Sequence, residues 1–490
     1  MFIIKDLEIK PVSLINHNNE QRIDLSCHIN RDAHLLLKIL NGDTVISDNI
    51  PLHFMSGKSI CSILVPACEA DIETLWQICD KDGTVVAKKQ VLWKKPRKWE
   101  LYVMVSSHTD IGLHNSQYIQ RHNSVEFTKK AMALCDSTAS RNENDRYRYV
   151  MEGTWFFENY EKDMGEEKAK QLVEDYIKTG KMGVCAGIAG NHTQTFGLEE
   201  MCRSTYGRHG LKEKYGLDIK TMTMIDNNGI SWAMVQPFAD AGYENIIFAP
   251  TQWNPLPSTI WKKNTRVTSS YTKKAYTWNP EAAGGGARID IRYTSELPML
   301  FYWQGADKSK KMLVWGSTQY DFGGYAFGLS TDITPDRIGE VEDCMADQLD
   351  LMESKMPYNI WMFPCYNDDQ VPDIGLTDTI AEWNKCWKYP QIKTMGNPDE
   401  PFELIKERFG DEIPVVCGDI TGGWYQHPIT APELLAAKSE ADRLLPTAEK
   451  LAVIAAMTDE DYKYPEISFE RAWEALLPWQ ECLGGISPEG

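Results

Sequence analysis

The chain has 490 residues, enough at roughly 150 residues per domain for two to four domains and at least one sizeable core. Hydrophobic residues make up 42% and charged residues 25%, the balance of a folded globular protein, which excludes a fibre or a disordered chain. With 70 acidic against 51 basic side chains the formal net charge is −19, a field that repels phosphate backbones and anionic lipid, so nucleic acid and membrane surfaces are excluded as partners.

The chain opens MFIIKDLEIK, without the apolar stretch of a secretory signal, and no window elsewhere reaches the apolar length of a membrane span, so a cytoplasmic location is expected. The 12 cysteines form no Cys-x-x-Cys pair, which argues for buried thiols rather than a zinc ribbon or a disulfide-stapled fold. Sixteen tryptophans and 21 tyrosines suit either a large core or stacking on sugar faces.

Residues 1–96 alternate short apolar runs such as Ile23–Cys27 and His34–Ile39 with turn clusters at Asn41-Gly42-Asp43 and Asp82-Gly83. That pattern predicts hairpins in an all-β, sandwich-like domain. The basic, proline-broken segment Trp93–Lys98 marks its boundary.

From 97 to 425 seven apolar runs, 101–105, 147–151, 182–186, 221–225, 245–249, 312–315 and 359–363, are separated by helical or looped stretches. Strand and helix in alternation predict a mostly parallel sheet, and seven repeats suffice to close a (β/α) barrel. A further apolar run, Pro414–Cys417, follows. Residues 426–490 form a helical segment: Thr430 caps one helix carrying Leu434, Leu435, Leu444, Leu445, Ala448, Leu451 and Ala452, kinked at Pro446, and Ser468 caps another carrying Ala472, Trp473, Leu476 and Leu477. The expected fold class is thus α/β, a seven-stranded (β/α) barrel with an N-terminal all-β domain and a C-terminal helical segment.

In parallel α/β folds reactive groups gather beyond the carboxyl ends of strands. Behind the first barrel run stand His108 and Asp110, two apart and so on one side of an extended backbone; behind the fourth stands Asp226; behind the seventh stand Asn367, Asp368 and Asp369. One imidazole with carboxylates from separate strand ends can hold a divalent metal such as zinc. The blander reading is that His-x-Asp arises by chance and that a strand-end Asp caps the next helix. Glu152 ends the second run and His192 follows the third, where either lines the pocket or caps the barrel with a polar group.

His108-Thr-Asp110-Ile-Gly112 resembles the H-x-D-x-G opening of glycoside hydrolase family 38, the retaining α-mannosidases, and Asp226–Gly242 resembles that family's nucleophile segment. Phe301–Asp307, Asp368-Asp369 with Trp383-Asn384, and Gly418-Asp419 extend the resemblance, in the family's order, over about 100–485. The resemblance implies a zinc-dependent retaining exo-α-glycosidase acting on carbohydrate. It makes Asp226 both nucleophile and metal ligand beside His108 and Asp110, and makes Asp369 the acid and base. Asp368, Glu152, His192 and His427 are then expected at the substrate. Leu113 stands where the family usually has Trp. Cys482 stands at the matching position of the family's fourth ligand, a His, so that ligand is Cys482, His427 or none. Family members also continue into β-rich C-terminal domains, so the chain is read as a fragment candidate, with homo-oligomerisation left open. Two rival functions remain at this point, a metal-dependent carbohydrate deacetylase or amidohydrolase and a non-catalytic sugar-binding relative.

Overall fold

The structure, a computed structural model, describes residues 3–112, 115–190, 192–227, 229–249, 298–317, 320–353, 356–421 and 432–480. The first seven strands are β1 (Ile4–Asn16), β2 (Glu20–Ile29), β3 (Ala33–Asn41), β4 (Thr44–Phe54), β5 (Gly57–Pro66), β6 (Ile72–Cys79) and β7 (Val85–Trp93). They form two antiparallel four-stranded sheets, β4-β3-β6-β7 and one in which β1, β2 and β5 are joined by the late strand β17 (Trp387–Tyr389). Both predicted turns are present: Gly42 sits at φ +57 between β3 and β4 and Gly83 at φ +80 between β6 and β7, a region open to glycine for want of a Cβ. Alternate residues of both sheets, among them Ile23, Leu25, Leu35, Leu37 and Trp76, share one buried cluster. The Trp93 indole reaches across to Gln21 Oε1 at 2.8 Å, satisfying its donor inside that core.

The seven predicted runs are all strands: β8 (Glu100–Val105), β9 (Tyr149–Met151), β10 (Met182–Val184), β11 (Thr221–Ile225), β13 (Asn245–Ala249), β15 (Lys311–Gly316) and β16 (Ile360–Cys365). Nearly all their residues are buried on both faces, which is why they read as unbroken apolar runs rather than alternating ones. Their pairing is parallel but falls into three separate groups: β16-β8, β9-β10 and β11-β13-β15.

No sheet among the described residues closes, so the closed seven-stranded barrel that the strand count suggested is not seen among them. The free edge of β8 over Glu100–Val103 is taken by β18 (Gln391–Thr394), so β9 cannot form a ladder there. Single hydrogen bonds bridge the gaps instead, from Ser106 Oγ to Val150 O at 2.7 Å and from Ala186 N to Thr221 O at 2.8 Å. The remaining strands are β12 (Gly229–Ile230) paired with β20 (Ile420–Thr421), and β14 (Leu300–Gln304), antiparallel to β15 and parallel to β19 (Val415–Val416).

The C-terminal helices are Pro432–Thr458 and Glu466–Leu476. The first runs through Pro446, and three of its predicted core leucines are largely in solvent: Leu434 is 50%, Leu444 45% and Leu451 61% exposed. The second starts at Glu466, so Ser468 lies inside its first turn and is not its cap, while Trp473 and Leu477 are buried as expected. Among the described residues no helix is long and apolar enough to cross a membrane.

Candidate metal and catalytic site

His108 follows β8 and makes an isolated parallel bridge with Asp368, which follows β16. Its N–H donates to Asn367 O at 3.2 Å and its carbonyl accepts from Asp369 N at 2.7 Å, so two strand ends are stitched together at the candidate site. The backbone is extended there, and His108 and Asp110 do point to one place: His108 Nε2 lies 3.6 Å from Asp110 Oδ1. The same nitrogen lies 3.8 Å from Asp226 Oδ2, contributed by the end of β11. His108 and Asp110 are 1% and 4% exposed.

The other ring nitrogen is occupied. His108 Nδ1 stands 2.9 Å from Glu152 Oε1, and Thr109 N donates to Glu152 Oε2 at 3.3 Å. Glu152 thus faces the imidazole and fixes its orientation, a contact that strand-end position alone could not reveal. Its own position depends on close backbone approach at Gly153, where a Cβ would come within 2.2 Å of Ile188 O. Burial by itself would lower the His108 pKa, but the charge of Glu152 and the neighbouring Asp110 carboxylate outweigh it and hold the ring well above its ordinary value of 6.5.

Asp226 and Asp369 share a second property. Both have positive φ, +53 and +48, the left-handed region that costs a non-glycine residue roughly 1–2 kcal/mol although Asp tolerates it better than most. The Asp226 N–H donates to Ala249 O at 2.9 Å, so the unusual backbone is fixed by the adjoining strand. Asp369 is half-buried and Asp368 exposed. Gln120 Nε2, on the helix Gln117–Ser137, lies 2.9 and 3.0 Å from the two Asp369 oxygens and 3.3 Å from Asp110 O, tying the acid to the metal motif. Asn115 Nδ2 adds a longer contact of 3.5 Å to Asp369 Oδ2.

Sequence reasoning missed Gln120, and it missed Tyr320 and Asp321 beyond the end of β15. The Tyr320 ring lies 5.3 Å from the His108 ring and stacks on Tyr366 at 6.1 Å. Searching the end of the sixth strand, as the ends of the first four and the seventh were searched, would have found both. Asp321 is 2% exposed, and burial pushes its carboxyl well above the usual carboxylate range. His192 is buried beyond β10, where its carbonyl accepts from the Thr195 hydroxyl at 2.9 Å. His427, Cys482 and Leu113 lie outside the described residues.

The donor set suits a divalent ion. His108, Asp110 and Asp368 each offer a ligand atom within 4.8 Å of the others, and Asp226 joins through its contact with His108. His108 Nε2 is buried with no hydrogen-bond partner among the described residues, a state that costs free energy unless an ion or proton satisfies it. Ion and proton compete for that nitrogen, because ligation needs the neutral ring. A cavity of about 1380 Å³ lies not at this cluster but beside it, between the strand ends and the C-terminal helices; Ile111, Trp155, Ile188 and Trp473 line it. The chemistry follows the cluster, because that is where the carboxylates and the imidazole meet.

A strand-borne cluster of this kind defines an α/β protein with a candidate hydrolytic centre. The family model described as glycosyl hydrolases family 38 N-terminal domain matches residues 98–418, and the chain belongs to that family. An α-mannosidase from Enterococcus faecalis V583 shares the fold at 17% identity and a TM-score of 0.56, covering 79% of this chain. The chain spans 39% of the length of that protein. A weaker likeness joins it to 4-α-glucanotransferase from Thermococcus litoralis, at 12% identity, a TM-score of 0.41, and coverage of 71% of this chain and 46% of the other. No curated protein sequence matches the chain.

Proposed function

We propose that the chain is the catalytic part of a zinc-dependent retaining exo-α-glycosidase of α-mannosidase type. The observation that carries the reading is the convergence of Asp110 and Asp226 on one nitrogen of His108, at 3.6 and 3.8 Å, from two different strand ends. Membership of the glycosyl hydrolase family and the fold shared with an α-mannosidase support it. The domain limits 1–96, 97–425 and 426–490 belong to the same proposal.

His108, Asp110 and Asp226 would hold the ion, with Asp368 close enough to share it and Cys482 or His427 as a further donor. When bound, zinc supplies positive charge that binds sugar hydroxyls and favours the ring distortion of an oxocarbenium-like state. The chain's own residues do the rest. Asp226 attacks the anomeric carbon, and the bond from that carbon to the leaving oxygen breaks. Asp369 gives its proton to the departing oxygen; it then takes a proton from water, which releases the sugar from Asp226 and regenerates both groups. Gln120 keeps the Asp369 carboxylate in place through its two contacts. Glu152 keeps the imidazole turned so that Nε2 faces the acids.

The test is hydrolysis of aryl α-glycosides by the purified chain, with and without chelator, beside Asp226→Asn. The reading expects loss of turnover in both cases and recovery on adding zinc back to the wild type. Turnover indifferent to chelator and to Asp226→Asn would overturn it.

A further inference from the structure

Ile111, the residue directly after Asp110, is 1% exposed, yet it does not belong to the main core of the strands. It lies in a small separate cluster with Ile188, Ala189, Trp473 and Leu477. Two of those five, Trp473 and Leu477, come from the C-terminal helical segment, so the residue next to Asp110 shares one buried cluster with that segment. Immediately beyond Ile111 the backbone turns through Gly112 at φ +101. The Gln120 amide meets the Asp110 carbonyl, and the side chain that follows Asp110 is buried in that cluster.

Trp473 is itself fixed by two groups. Its indole N–H donates to Glu449 Oε1 at 3.1 Å, and the Arg203 guanidinium lies 4.4 Å from its ring centre. Arg203 in turn contacts Glu449 Oε2 at 2.6 Å and Glu199 Oε1 at 2.7 Å. These contacts join the helix Leu198–Arg203 to both C-terminal helices, and the pairs are less than 40% exposed. An aromatic ring held on a cation and on a hydrogen-bonded carboxylate is a rigid wall rather than a loose core filler.

We infer that Trp473 is a positioning residue for the candidate metal site: by burying Ile111 it holds the Asp110 backbone where the Asp110 carboxylate meets His108. The C-terminal helical segment is then part of the apparatus that shapes the site and not an appendage to it. This rests on the reading that His108 and Asp110 hold a divalent ion, and the experiment separates the two.

The test compares the full chain with Trp473→Ala, Trp473→Phe and Glu449→Gln. Zinc affinity is measured by competition with a chromophoric chelator, and amide hydrogen exchange is followed peptide by peptide in the metal-free proteins. Removing a group that orients a ligand typically weakens metal affinity about 10–100-fold, and that range is expected for Trp473→Ala, with most of the loss restored in Trp473→Phe. Exchange over 108–112 should accelerate in Trp473→Ala while exchange in the N-terminal sheets stays as it was. Glu449→Gln, which leaves the ring in place but removes its charged partner, should move both readouts in the same direction by less, and it decides the matter if Trp473→Ala fails to fold. Wild-type exchange over 108–112 in Trp473→Ala, or in Glu449→Gln should that variant stand alone, overturns the inference. So does an acceleration spread evenly over all strands. If the wild type takes up no zinc, the metal reading falls, and the exchange measurement still decides whether Trp473 holds the Asp110 segment.

Discussion

Glu152 and His108 form a buried pair, carboxylate oxygen to ring nitrogen at 2.9 Å, with both side chains 1% exposed. Because that contact uses Nδ1, the ring presents Nε2 to Asp110 and Asp226. A carboxylate that orients a ligating histidine is worth about 10–100-fold in metal affinity, so Glu152→Gln is expected to weaken zinc binding by that order while leaving the circular dichroism spectrum unchanged. Equilibrium dialysis against zinc measures it, and unchanged affinity would remove Glu152 from the site.

The acid role of Asp369 predicts dependence on the leaving group. Losing a general acid costs about 10²–10⁴-fold when the departing oxygen needs the proton and far less when it leaves unaided. Asp369→Asn is therefore expected to lose most of its kcat on alkyl α-glycosides and little on activated aryl α-glycosides. An equal loss on both series would contradict the assignment.

Backbone strain at Asp226 gives a stability prediction independent of activity. Asn visits the left-handed region at least as readily as Asp, whereas Ala does not, and both substitutions remove the charge equally. Asp226→Ala is expected to be less stable than Asp226→Asn by about 1 kcal/mol in urea denaturation. Equal midpoints would mean that φ +53 carries no strain.

Asp321 sets a pH dependence. Burial holds its carboxyl well above the usual carboxylate range in the folded chain. An acid with a raised folded pKa binds its proton more tightly folded than unfolded, so its contribution is fully present below the unfolded value near 4 and is lost as pH rises through the folded value. Asp321→Asn removes that loss. The stability of wild type relative to Asp321→Asn is thus expected to fall as pH rises from about 4 towards neutrality, read from denaturation midpoints along a pH series. A difference that does not vary with pH would show that Asp321 is not buried as a proton-holding carboxyl.

Much of the frame was legible in the sequence. The run Leu101–Val105 announces a strand because both its faces are buried, and His108 and Asp110 converge because residues two apart share a face of extended backbone. The pairing of β18 with β8 was not legible. Gln391–Thr394 is too short and too polar to be recognised as the strand that occupies the edge of β8. In the helix Pro432–Thr458, helical spacing identified a stripe but could not say what covers it, and Leu434, Leu444 and Leu451 stay in solvent. Glu152 was placed correctly at a strand end, yet only geometry reveals that it faces the His108 imidazole.

Covalent trapping tests the central claim most directly. A fluorinated α-glycosyl fluoride that forms the glycosyl-enzyme but releases it slowly, followed by proteolysis and mass spectrometry, is expected to label the wild-type chain once, on the peptide containing Asp226, and to leave Asp226→Asn unlabelled. Steady hydrolysis of the reagent with no adduct, or an adduct on another residue, would contradict the account.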